Sequence, residues 1–175
     1  MSARQLANRF AATHELLLQA AGSCTDEDLA WRGGPTSPPI AFHAWHVGRW
    51  ADRWAEALGA PDQVWIRDAL AREWGFPDSV DGGVTGMQMP DDQAAALPFP
   101  TAARLTAYLR AAFARLENQL ERVTDDDLLS DADDLLGRRL ALGEALLRQL
   151  AHGNRHLGMI EALRGVRGSH GTATV

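Results

Sequence analysis

The chain has 175 residues, of which 46% are hydrophobic, and a formal net charge of −6. This length fits one globular domain with its own core. The lone cysteine, Cys24, excludes an internal disulfide, and the lack of lysine excludes lysine Schiff-base chemistry. No apolar run reaches the roughly 18 residues of a membrane span, and the negative charge disfavours general nucleic-acid binding. These features predict a cytoplasmic protein that binds neither membranes nor nucleic acid.

Apolar residues recur at helical spacing near the N-terminus and predict a first helix over residues 4–22. The segment TDEDL follows, in which the Thr25 side chain can cap a short helical turn and Asp28 can return the hydrogen bond. The stretch RGGPTSPP after it is typical of a loop.

Helix two is predicted over residues 39–58, because Pro38 and Pro39 need no N–H partner in a first helical turn. A further short helix is predicted within VWIRDALAREWG, at residues 64–75. Glycine and proline are frequent among the polar residues of 77–100, which predicts a long connection between helices two and three.

Helix three is predicted over residues 101–123 and helix four over 142–164, both from apolar residues at helical spacing. Residues 1–168 are therefore expected to form one all-α, four-helix-bundle domain. Residues 169–175 are small and polar, and they predict a flexible tail.

Two histidines lie four residues apart in helix four. His152 and His156 are separated by about 40° on the helical wheel, so one metal ion could reach both imidazoles. They lie on or beside the apolar face of the helix. The spacing is equally compatible with a pair of buried structural histidines.

Helix two supplies two further histidines, His43 and His46, on an arc shared with apolar and aromatic residues. Imidazoles that face a bundle core from two helices are typical of transition-metal sites. Helix geometry alone does not choose between His43 and His46.

The remaining candidates have simpler interpretations. His14 lies on the apolar arc of helix one and is predicted to be a hydrogen-bonded core residue, with cavity lining as the alternative. Cys24 has acidic neighbours that oppose thiolate formation, which favours a structural role. Trp50 and Trp54 follow His46 at helical spacing and predict core residues that could also wall a pocket. His170, in the tail, is predicted to be solvated.

Three acidic residues, Asp131, Asp133 and Asp134, form a cluster before helix four. They predict a solvated loop, with a weak site for a hard cation as the alternative. No Asp or Glu shares the arc of His152 and His156, so no carboxylate general base is evident there.

Three segments of the chain resemble the DinB-like superfamily. WHVGRWADRWAEALG is similar to the family's second-helix motif, VWIRDALAREWGFP to its Trp-Gly segment, and HGNRHLGMIEALRG to its last-helix motif. The last of these is the most specific. The resemblance implies an up-up-down-down four-helix bundle, commonly dimeric, that binds zinc, nickel or iron.

Carried over to this sequence, the resemblance implies that His46, His152 and His156 are the metal ligands and that His43 is a neighbouring core residue. Three protein ligands leave a coordination position for water or substrate, as in catalytic metal sites. The implied function is a metal-dependent enzyme, a transferase or isomerase that uses a small thiol such as mycothiol or bacillithiol. The alternatives are a non-catalytic metal- or ligand-binding dimer and a hydrolase that uses metal-bound water.

Overall fold

Helices make up most of the structure, a computed structural model that describes residues 1–80 and 84–171. Within these residues there are eight α-helices: α1 (Ala3–Gly22), α2 (Asp26–Ala30), α3 (Ile40–Ala57), α4 (Val64–Arg67), α5 (Leu70–Trp74), α6 (Asp91–Ala96), α7 (Ala102–Leu120) and α8 (Leu142–Val166). The all-α prediction is confirmed. No helix of the described ranges has both the length and the apolar character needed to cross a bilayer.

The four long helices pack around a common core. α1 and α3 each contact both α7 and α8. The apolar positions that predicted these helices are buried, for example Leu6 and Phe10 of α1 and Leu105 and Leu116 of α7. The up-up-down-down order stays a prediction, as does the division into a domain of residues 1–168 and a tail of 169–175, of which 172–175 lie outside the described residues.

Helix α3 is the central element, since 15 of its 18 residues are buried. Its close contact with α7 depends on Gly48, where an added Cβ would lie 2.7 Å from Leu109 Cδ2 and 2.9 Å from Tyr108 Cε1. Because α3 is buried on all sides, its side chains point into the protein interior in every direction. One helix can therefore supply both core aromatic residues and the polar groups described below.

One predicted helix start agrees with the structure, and a second differs from it by one residue. Thr25 and Asp28 form a capping box, in which the Thr25 side chain accepts from the Asp28 N–H and the Asp28 carboxylate accepts from the Thr25 N–H. Pro39 precedes α3 in an extended conformation, with φ −71° and ψ 162°, so the helix begins one residue later than predicted.

The prediction of one helix over residues 64–75 is wrong, because the segment forms the two short helices α4 and α5. Ala69 lies between them with a left-handed φ of 50°. The predicted connection over residues 77–100 also contains ordered elements, namely a 3-10 turn at Asp78–Val80 and helix α6. Residues 81–83 of this connection lie outside the described residues.

The acidic cluster belongs to a hairpin rather than a solvated loop. Strands β1 (Asp131–Asp133) and β2 (Arg139–Ala141) pair antiparallel. Asp133 and Asp134 accept hydrogen bonds from backbone N–H groups of the turn, and Asp134, which is 5% exposed, also pairs with Arg138. These carboxylates stabilise the turn that leads into α8.

Candidate metal centre

Three imidazoles meet between α3 and α8. Ring centroids are 4.9 Å apart for His46 and His152, 4.7 Å for His46 and His156, and 4.6 Å for His152 and His156. One nitrogen atom from each ring lies within 4.8 Å of the other two, so the group could hold a metal ion. The structure thus brings together the three residues that the family resemblance selected.

The orientation of His46 is fixed by a backbone carbonyl. Its Nδ1 lies 2.5 Å from the carbonyl oxygen of Thr85, which can only accept, so Nδ1 carries the proton and donates. The Phe42 ring stacks on the imidazole at 5.7 Å and 12°. The remaining nitrogen, Nε2, therefore presents its lone pair to the group, where it lies 3.0 Å from Nε2 of His152.

The segment that supplies this carbonyl is held tightly against α3. The Arg49 guanidinium donates through Nε to the carbonyl of Val84 at 3.2 Å. Gly86 adopts φ +85°, and an added Cβ would lie only 2.7 Å from the Trp45 ring and 3.0 Å from Phe42. The close approach of residues 84–86 to α3 places the Thr85 carbonyl at His46.

His43 contacts the group from outside. Its Nδ1 lies 3.1 Å from Nδ1 of His156, and it is not one of the three grouped residues. Of the two histidines of α3, His46 belongs to the group of three, and its role as a metal ligand stays a prediction. Since Nδ1 of His156 contacts His43, Nε2 is the nitrogen of His156 that remains for a ligand role.

Substitution of His43 by phenylalanine is expected to weaken zinc binding by about 10- to 100-fold, because partners of metal-ligating histidines fix their orientation. Competition with a chromophoric zinc chelator measures this change. His170→Phe, on the exposed tail, serves as the control and is expected to bind like the native chain. Equal affinity in the His43 variant and the control would show that His43 does not orient His156.

Burial keeps the histidines of this region neutral. It lowers the pKa of His43 and of His152 to about 4, with the charge of His46 adding to both shifts. Burial is also the main reason that the pKa of His156 falls to about 2, with smaller contributions from His46 and other neighbours that include Arg155. The pKa of His46 is lowered by burial, although its hydrogen bond to Thr85 opposes the shift. Neutral imidazole is the form that binds metals.

The stability of the metal-free protein is expected to fall as the pH falls from about 6.5 to about 4. In this window the unfolded chain protonates His43 and His152 while the folded chain leaves them neutral, so protons favour the unfolded state. Urea unfolding at several pH values measures the slope. A free energy of unfolding that does not change across the window would contradict these pKa shifts.

A cavity of about 680 Å³ opens onto the three histidines. Its volume is in the range of about 300–1,000 Å³ that is typical of small-molecule sites. Trp50 and Trp54 line it and are 5% and 2% exposed, so both are core residues and cavity walls, as predicted. The three imidazoles therefore face a space large enough for a small organic molecule.

Sequence patterns gave no sign of several other lining residues. Asp91 at the start of α6, Asp134 of the hairpin and Arg155 of α8 all line the cavity. Both oxygens of Asp134 already accept hydrogen bonds from Arg138, which leaves this carboxylate poorly suited to act as a base. The segments of Asp91 and Asp134 share no helical periodicity with the histidines, so only the folded structure places them here.

The other sequence candidates lie outside the three-histidine group. His14 hydrogen-bonds through Nδ1 to Oε1 of Glu117 at 2.6 Å and stacks on Phe113 at 4.1 Å, which confirms its prediction as a hydrogen-bonded core residue. The Cys24 thiol is buried and donates to the carbonyl of Ala20. Burial raises the pKa of Cys24, in agreement with a structural role.

These features define an all-α protein with a three-histidine group at a cavity between two of its long helices. The sequence profile of the DinB superfamily matches residues 9–160, and the chain belongs to this superfamily. A comparison with curated proteins finds no match.

Two solved structures share the fold. One is a conserved protein from Enterococcus faecalis, with a TM-score of 0.76 and 17% identity over 92% of this chain and 94% of that one. The other is a DinB-like protein from Bacillus cereus, with a TM-score of 0.68 and 18% identity over 95% of this chain and 93% of that one.

Proposed function

We propose that this protein is a metal-dependent enzyme in which His46, His152 and His156 bind one divalent ion of zinc, nickel or iron. The observation that carries the proposal is the convergence of three imidazole nitrogens, within 4.8 Å of one another, at the wall of a 680 Å³ cavity. Three protein ligands leave a position for substrate, which distinguishes catalytic from structural sites.

The residues present fit such an ion. Imidazole nitrogen suits zinc, iron and nickel, and burial keeps the rings in the neutral, metal-binding form. The hydrogen bond from His46 to the Thr85 carbonyl is the kind of outer contact that orients a ligating histidine. Nδ1 of His152 is buried and has no hydrogen-bond partner within the described residues, whereas its Nε2 lies 3.0 Å from Nε2 of His46.

When bound, the ion would supply Lewis acidity and lower the pKa of a thiol or water in the cavity. Trp50 and Trp54 would exclude bulk water from the reacting groups, and Phe42 would hold the His46 ring in place. We favour a thiol-dependent transferase or isomerase that uses a small thiol such as mycothiol or bacillithiol together with a small-molecule electrophile. A homodimer is part of the same proposal.

The test uses metal-free protein reconstituted separately with zinc, nickel and iron. Each form is incubated with a panel of electrophiles, with and without small thiols, and both thiol consumption and conversion of the electrophile are followed. We expect turnover that requires both metal and thiol, that is lost in His152→Ala and that persists in His170→Ala. Turnover without thiol would assign hydrolysis instead, and no metal-dependent turnover with any combination would overturn the proposal of an enzyme.

A further inference from the structure

The arginines that line the cavity differ in whether a carboxylate pairs with them. Three arginines line it, and two of them are paired: Arg138 with Asp134 at 2.5 Å and Arg148 with Glu144 at 2.7 Å. The third, Arg155, has no carboxylate within 4.0 Å among residues 1–80 and 84–171. Within the described residues Arg155 is thus an exposed guanidinium at the cavity without an ion-pair partner, and Asp91, which is also exposed at the cavity, does not lie within 4.0 Å of it.

The position of Arg155 connects this charge with the candidate metal centre. Arg155 directly precedes His156 on α8, and both residues line the same cavity. The protein has a net charge of −6 and therefore repels anions in general. The positive charge of Arg155 opposes this repulsion at the cavity. An anion that enters the cavity would meet its attractive charge beside the histidines.

The shape and composition of the cavity restrict what that anion can be. Trp50, Trp54 and Met159 provide apolar surface on which a hydrocarbon or aromatic body can pack. The guanidinium fork matches a carboxylate, with which it forms two parallel charge-assisted hydrogen bonds. A small molecule with an apolar body and one carboxylate would satisfy both parts of the cavity.

We propose that Arg155 binds the carboxylate of a small organic ligand whose apolar body lies against Trp50 and Trp54. Arg155 thereby selects the substrate class of the candidate metal centre, a role that rests on the proposed function for the identity of the site. Uncharged analogues of the same shape are expected to bind more weakly because they cannot form charge-assisted hydrogen bonds with the guanidinium.

The test compares phenylacetate with phenylacetamide, which has a similar shape and no charge, by calorimetry at low ionic strength. Metal-free protein is used first, since no carboxylate preference can then arise from a metal. The native chain is expected to bind phenylacetate about tenfold more tightly, the effect of one good charge-assisted contact. Arg155→Gln should remove this difference. The double variant Glu144→Gln, Arg148→Gln should keep it, because it removes another cavity arginine without changing the net charge.

A native chain that binds both probes equally, or neither, would overturn the assignment, and so would an Arg155→Gln variant that keeps the preference. The zinc affinity of the same samples is also measured, so that failure of the carboxylate site can be distinguished from failure of the metal site. If zinc does not bind but the Arg155-dependent preference remains, only the metal site is contradicted. If zinc binds normally and the preference is missing, only the carboxylate site is contradicted.

Discussion

Replacement of Asp52 by alanine is expected to lower the free energy of unfolding by about 3–5 kcal/mol, the effect of breaking a buried ion pair from one side. Asp52 is fully buried on α3. Its carboxylate accepts hydrogen bonds from the backbone N–H groups of Val64 at 3.0 Å and Trp65 at 2.9 Å, and it pairs with Arg49 and Arg115. The substitution would remove the group that joins α3, α4 and α7.

The Asp52→Ala substitution is expected to be severe because it leaves the buried charge of Arg49 in place. Arg49 is also fully buried, with its guanidinium 5.1 Å from the centre of the Trp65 ring. Without Asp52 its charge would lose a neutralising carboxylate in the protein interior. Arg49 in turn contacts the segment that carries Thr85, so we expect the orientation of His46 to suffer as well.

Urea unfolding followed by far-ultraviolet circular dichroism measures the loss for Asp52→Ala. Asp68→Ala is the matched control, because Asp68 pairs with Arg67 at an exposed position and such pairs contribute only about 0–1 kcal/mol. If the two variants proved equally stable, the buried network would not have the importance assigned to it.

The second large effect concerns the three histidines. Alanine at His46, His152 or His156 is expected to lower zinc affinity by at least about 100-fold, since even outer-contact changes produce 10- to 100-fold losses and a ligand contributes more. Chelator competition measures each variant. Any one of the three that kept the native affinity would not be a ligand, whereas His170→Ala, on the exposed tail, should match the native chain.

Helical periodicity predicted the long helices because their buried faces are continuous. α1, α3, α7 and α8 begin and end within a few residues of the predicted limits. The failure at residues 64–75 has a physical cause, since nothing in the pattern shows that Ala69, a good helix former, adopts a left-handed conformation. Tertiary contacts accompany the break: the Trp65 ring packs on Trp74 at 5.2 Å, across the two short helices.

The hairpin of β1 and β2 differs from the predicted loop for a related reason. The charges of Asp133 and Asp134 predict a solvated loop, but in the structure their carboxylates accept hydrogen bonds from backbone N–H groups of the turn. Such local hydrogen bonds depend on the conformation of residues 134–138, where Leu135 has a φ of 64°. The amino-acid types are compatible with a turn, yet composition alone does not distinguish a capped hairpin from an open loop.

The candidate site was predictable to different degrees. Helical spacing predicts that His152 and His156 share a face, and the family resemblance adds His46. The orientation of the His46 ring depends physically on a backbone carbonyl, that of Thr85, 39 residues along the chain. Every residue has a backbone carbonyl, so the sequence does not indicate which one contacts the histidine. The same holds for Arg155, whose lack of a carboxylate partner within the described residues depends on where every nearby acidic side chain lies.

The central claim is that His46, His152 and His156 bind one divalent metal ion. Anomalous X-ray diffraction at the zinc absorption edge, from crystals of zinc-reconstituted protein purified without a histidine tag, tests it most directly. We predict one strong anomalous peak per chain, bonded to one nitrogen of each of these three histidines. A peak bonded to other residues, or no peak between α3 and α8, would contradict the claim.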